Sequence, residues 1–158
     1  ESFEKRVVGC CGRRACAKGL EAARLFTSFD ALLQPSAPLW AGLSAGERLE
    51  AFAEHPRIGE GGGSAWARSE QTGTADASDE VLRALEAANR EYEERFEMVF
   101  LINATDRSAQ EMLDALLVRL DNDPATELAE AAEQQRQITR LRLEKLVRPV
   151  APLARTGG

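Results

Sequence analysis

Apolar residues recur every three or four positions through most of this chain, and nowhere do they alternate with polar ones as in a half-buried strand. The pattern predicts helices throughout. Phe3, Val7, Val8, Cys10 and Cys11 mark a short first helix over 2–12, and Cys16, Leu20, Ala23 and Leu25 a second over 13–26. Pro35 and Pro38 then leave room for one short helix at most, over 29–33.

From Ser44 onward the helix ends can be read from capping chemistry. Ser44 and Glu47 form a capping box, in which the serine hydroxyl accepts from the Glu47 backbone N–H and the carboxylate reaches back. Leu49, Phe52 and Ala53 give this helix its apolar side, and Pro56 disfavours helical backbone at His55, so the helix is expected to end at the histidine. Gly61, Gly62 and Gly63 then form a flexible connection to a second short helical segment that holds Trp66 and Glu70. Caps between Asp76 and Asp79 open a long helix to about Phe96, with Val81, Leu85, Ala88, Tyr92 and Phe96 inward.

The run 98–102 is apolar but too short to assign, and either a buried extended segment or a core turn suits it. Ser108 and Glu111 form a second capping box, opening a helix that carries Met112, Leu113, Leu116, Leu117 and Leu120 inward. Asp123 as N-cap and Pro124 at the first helical position start a last helix to about Val147, with the stripe Leu128, Ala131, Gln135, Ile138 and Leu141. Residues 149–158 form a loose tail. The expected fold is all-α: a single-domain irregular helical bundle of about six to eight helices over residues 1–148.

Composition narrows the function classes. At 158 residues and 44% hydrophobic content the chain can bury a core as one domain. A net charge of -6, with basic residues interspersed among acids, argues against a nucleic-acid surface. No stretch approaches the ~20 apolar residues of a membrane span and no signal-like start precedes the first helix, so a soluble, cytoplasmic protein is expected. Cys10, Cys11 and Cys16 are too bunched for a disulfide framework and have no metal-ligand spacing; they read as small apolar residues in a reducing compartment.

The chain has one histidine, so imidazole proton chemistry can come only from His55. A lone histidine before proline is usually just a helix-end residue. Here the glycine run can fold Glu70 and Gln71 back toward it, offering a carboxylate and an amide to orient the ring or grip a polar ligand. A solvated helix face is the ordinary fate of such a glutamate, and of Arg140 and Arg142 as well. No Ser/His/Asp triad can be assembled, and the glycine run lacks the Lys-Ser/Thr ending of a phosphate loop.

The combination of His55-Pro56-Arg57-Ile58-Gly59-Glu60 with Trp66 and Glu70-Gln71 resembles the 2-oxo-4-hydroxy-4-carboxy-5-ureidoimidazoline (OHCU) decarboxylase family. Arg95-Phe96, Phe100-Leu101-Ile102, Ala104-Thr105, Arg107-Ser108-Ala109, Asn122-Asp123-Pro124 and Leu141-Arg142-Leu143 extend the similarity over nearly the whole chain. The resemblance implies an all-α, homodimeric enzyme that forms (S)-allantoin from OHCU, its small-molecule substrate, in urate degradation without any cofactor. It implies His55 as the catalytic acid/base and Glu70 as its catalytic partner. Pro56, Gln71, the run Phe100, Leu101, Ile102, Asn103 and Ala104, and the cations Arg107 and Arg142 would bind substrate.

Several positions depart from that pattern. Ala67 stands where the family usually has serine, removing a hydroxyl contact to substrate unless Ser64 or Ser69 replaces it; Glu97 and Asp106 stand where glycine is common. Cys16 and Asn103 replace the usual tryptophan and cysteine. The departures allow a second reading, a catalytically weakened relative that serves as a helical binding or assembly module.

Overall fold

The computed structural model describes residues 38, 42–60 and 65–147. The helices expected over 2–12, 13–26 and 29–33, the three cysteines, the glycine run and the tail 149–158 lie outside the described residues. Among the described residues there are five α-helices and no strand: α1 (Ala45–Phe52), α2 (Ala65–Glu70), α3 (Asp79–Phe96), α4 (Ala109–Leu120) and α5 (Pro124–Val147). A single 3-10 turn, Thr72–Thr74, follows α2.

The caps form as their side chains dictate. Ser44 N–H donates to the Glu47 carboxylate at 2.9 Å while Glu47 N–H donates to the Ser44 hydroxyl at 3.3 Å. Ser108 and Glu111 repeat this reciprocal pair at 2.8 and 3.2 Å. Ser78 caps α3 through Val81 N–H, and Asp123 accepts from the N–H groups of Ala125 and Thr126 ahead of α5. Each such cap stabilises its helix by about 1 kcal/mol.

α1 stops at Phe52, short of the expected end at His55. Ala53 N–H still reaches Leu49 O, but His55 N–H turns back to Phe52 O at 3.0 Å, a tighter closure that delivers the histidine to a turn rather than a helix. Pro56 enforces this by excluding helical backbone at the preceding residue. Ile58 and Gly59 follow; Gly59 has φ +90, a conformation open to glycine.

α3 and α4 pack on each other, and Phe52, Leu85, Tyr92, Phe100, Met112 and Leu116 are fully enclosed between them and their neighbours. The Tyr92 ring lies 4.8 Å from Phe96 and 5.2 Å, edge-on, from Phe100. Leu117, expected inward, is 49% exposed, because the buried face of α4 runs through Ala109, Met112, Leu113, Leu116 and Leu120 and places Leu117 at its border. On α5 the buried face is rotated from the expected stripe. Ala131, Gln135 and Ile138 of that stripe are buried, but Leu128 and Leu141 are only partly covered, while Glu127, Gln134, Thr139, Arg142 and Leu143 join the buried face. Hydrophobicity alone misplaces part of this face because most of what it buries is polar.

The apolar run after α3 is neither helix nor strand. Glu97 ends α3 in a left-handed conformation (φ 54) and Asp106 adopts another (φ 60). A side chain at such a φ costs about 1–2 kcal/mol. Between these bends no neighbouring strand supplies hydrogen bonds, so side chains do. Arg119 Nη1 donates to Leu101 O at 2.6 Å, Asn103 N–H donates to Gln134 Oε1 at 2.8 Å, and Arg107 Nε donates to Asn103 O at 3.0 Å. The 3-10 turn packs against the same region so closely that a Cβ on Gly73 would sit 1.8 Å from Arg107 O.

Candidate active site

The turn after α1, helix α2, the irregular segment 98–104 and α5 line a narrow, partly open cavity of about 20 Å³. Its lining holds ten of the residues singled out in the sequence. His55 and Pro56 come from the turn; Ala67, Glu70 and Gln71 from α2 and its end; Phe100, Leu101, Ile102 and Ala104 from the irregular segment; and Arg142 from α5. Ile58 and Ile138 complete it.

Arg142 and Glu70 join across 72 positions of sequence. Arg142 Nε donates to Glu70 Oε1 at 2.8 Å and Nη2 to Oε2 at 2.7 Å, a bidentate pair whose side chains are 6% and 9% exposed. Glu70 therefore sits with its charge compensated on the cavity wall, not on a solvated face.

His55 is partly buried on the same wall. Its pKa is lowered from the usual 6.5 to about 4: burial disfavours the imidazolium most, Arg142 repels it, and the Gln135 side chain and the Glu70 carboxylate only partly offset these. The ring is therefore neutral at physiological pH.

Gln71 is partly committed elsewhere, because its Oε1 accepts from Gly59 N–H at 3.1 Å and so ties the end of α2 to the turn that carries His55. Arg57, beside the site in sequence, points outward; it donates to Glu93 at 2.5 and 2.7 Å and to Glu60 at 2.9 Å. Asn103 and Arg107 do not line the cavity. Asn103 faces Gln134 on α5, and Arg107 is exposed and holds the Asn103 carbonyl. Ser69 is exposed and absent from the lining, so no hydroxyl among the described residues stands in for the one missing at Ala67, which is itself buried on the cavity wall.

Sequence reading missed two groups. Gln135 lies on the expected stripe of the last helix, and a carboxamide at that core register is the signal that marks it. Arg119 and Glu127 were not singled out at all. Glu127 is fully buried and accepts from Tyr92 Oη, from Arg119 Nε and Nη2, and from Asn122 Nδ2. Burial and the Glu127 carboxylate push the Tyr92 hydroxyl pKa upward, so it stays a donor. Arg119 in turn lies 4.6 Å over the Phe100 ring while holding Leu101 O. This cluster fixes the segment that lines the far side of the cavity.

Among the described residues no set of three His, Cys, Asp or Glu side chains comes together to hold a metal, and no helix is long and apolar enough to cross a membrane. Among the described residues the fold and site together define a strand-free helical domain with a small cavity bordered by an imidazole and a buried Arg–Glu pair. Residues 1–144 match the family model of OHCU decarboxylase, and the chain belongs to that family.

The uric acid degradation bifunctional protein TTL of Arabidopsis thaliana is 37% identical over 145 residues, covering 87% of this chain. The chain spans only 45% of that relative's length. An OHCU decarboxylase crystallised in the presence of (S)-allantoin superposes with a TM-score of 0.81 at 33% identity, over 90% of this chain and 97% of that one. An (S)-allantoin synthase shares the fold at 18% identity, with a TM-score of 0.72 over 90% of this chain and 48% of its own.

Proposed function

We infer that the protein decarboxylates OHCU to (S)-allantoin and CO2 in urate degradation. The reading rests on the family match over residues 1–144, joined to a cavity on which His55, Glu70 and Arg142 meet from three separate elements. The substrate carries a hydroxyl and the leaving carboxylate on one ring carbon, beside a ureido-bearing carbon doubly bonded to a ring nitrogen. As the C–CO2 bond breaks, its electron pair forms a C=C bond to the ureido carbon, and the imine pair moves to nitrogen, which takes up the proton that the reaction consumes. The resulting enol then loses its hydroxyl proton and gains one at the ureido carbon. That last transfer sets the stereocentre.

An imidazole that starts neutral suits this second stage. His55 takes the hydroxyl proton as base and returns it as acid to one face of the ureido carbon, ending as it began. Arg142 orients the substrate carboxylate, Glu70 and the amide end of Gln71 bind the ring and ureido group, and Pro56 with Phe100, Leu101, Ile102 and Ala104 excludes water. Asn103 and Arg107 support the wall from behind and do not contact substrate. We also take residues 1–148 as one helical bundle of about six to eight helices, acting as a homodimer in the cytoplasm.

Generating OHCU in situ from urate and following circular dichroism tests the assignment. The protein should accelerate appearance of the (S) enantiomer, and His55→Ala should not; no acceleration, or a fully active His55→Ala, overturns it. The absent hydroxyl at Ala67 favours a second reading, a weakened relative used as a binding module. On that reading allantoin gives no thermal shift, whereas self-association or a protein partner does.

A further inference from the structure

We propose that Gln135 is a positioning residue that locks the His55 imidazole in a single neutral tautomer, with its N–H toward α5 and its lone pair toward the cavity. Gln135 is fully buried and shares the face of α5 with Ile138 and Arg142, which line the cavity together with His55. Its Nε2 donates to Thr139 Oγ1 at 3.2 Å, which sets the carboxamide plane and leaves Oε1 as the uncommitted end. Oε1 is itself buried and makes no well-formed hydrogen bond among the described residues. A buried acceptor left in that state is costly, and a ring N–H is the donor that relieves it. Consistent with this, the Gln135 side chain is the strongest influence raising the His55 pKa against burial and Arg142.

The consequence is chemical. A ring free to exchange tautomers presents an N–H to the substrate hydroxyl part of the time, when it needs a lone pair; a ring held by Gln135 presents the lone pair always. The charged groups facing the ring are Arg142 from α5 and Glu70 from α2; a guanidinium offers no acceptor, and both Glu70 oxygens already accept from Arg142, which leaves Gln135 Oε1 as the uncommitted acceptor for a ring N–H.

Because the chain has one histidine, 15N-histidine labelling of the full protein gives an unambiguous long-range 1H–15N spectrum. At pH 7 the wild type should show one protonated and one bare ring nitrogen. Gln135→Leu should show two averaged nitrogens, while Gln135→Glu, which keeps an acceptor oxygen at that place, should retain the single tautomer. On the decarboxylase reading, kcat of Gln135→Leu falls about tenfold with KM nearly unchanged. Averaged nitrogens in the wild type overturn the proposal whether or not any variant folds. So does a single tautomer that survives Gln135→Leu, or a kinetic loss confined to KM. The spectra need no turnover, so failure of the decarboxylase reading leaves this test standing.

Discussion

Among the described residues two arginine–glutamate pairs are buried, and they do different things. Arg119–Glu127 is closed on all sides: the carboxylate also accepts from Tyr92 and Asn122, and the guanidinium also holds Leu101 O and lies over Phe100. Arg142–Glu70 has comparable burial and a cleaner bidentate geometry, but it borders empty space shared with a neutral imidazole. Removing two charges from water is expensive in both places and is offset only by full hydrogen bonding. A buried ion pair is therefore no sign of function in itself. What distinguishes the second pair is the adjoining cavity and the proton-transfer group across it.

The largest expected effect separates the two on stability. Glu127→Ala leaves Arg119 buried and uncompensated and strips acceptors from Tyr92 and Asn122, so it should destabilise the fold by about 3–5 kcal/mol, read as a large drop in Tm. His55→Ala should leave Tm near wild type at pH 7 while abolishing turnover. A Glu127→Ala protein melting at the wild-type temperature would falsify the structural assignment of that cluster.

Next in size is a pH effect confined to the cavity. His55 titrates near 6.5 when unfolded and near 4 when folded, so the unfolded chain binds more protons between these values. The contribution is complete above pH 6.5 and is lost as pH falls toward 4, on the order of 3 kcal/mol in all. Denaturant melts across that window should show this slope in the wild type and a shallower one in His55→Ala; equal slopes would remove His55 as its source.

The smallest change sharpens the comparison from the open side. Ala67→Ser puts a hydroxyl on the cavity wall, where a hydrogen bond to a polar substrate contributes about 1–3 kcal/mol, so kcat/KM should rise about 5- to 150-fold. The same substitution should barely move Tm. An unchanged kcat/KM would mean that this chain no longer depends on a contact at position 67.

Local chemistry determined much of this protein from sequence alone. The serine and aspartate caps and the periodicity of α3 act over a few residues, so they can be read directly and they form as read. The resemblance supplied most of the cavity lining, including Arg142, which spacing would have left on a solvated face. Only the tertiary structure decided the remainder. The buried polar face of α5, the placement of Asn103 and Arg107 off the cavity wall, and the pairing of Arg142 with Glu70 depend on contacts between distant segments. The reason is the polar content of the interior. Hydrophobic patterning can locate a greasy face, but a core that buries Glu127, Arg119, Gln134, Gln135 and Arg142 is specified by hydrogen-bond partners far away in the chain, and those exist only once it has folded.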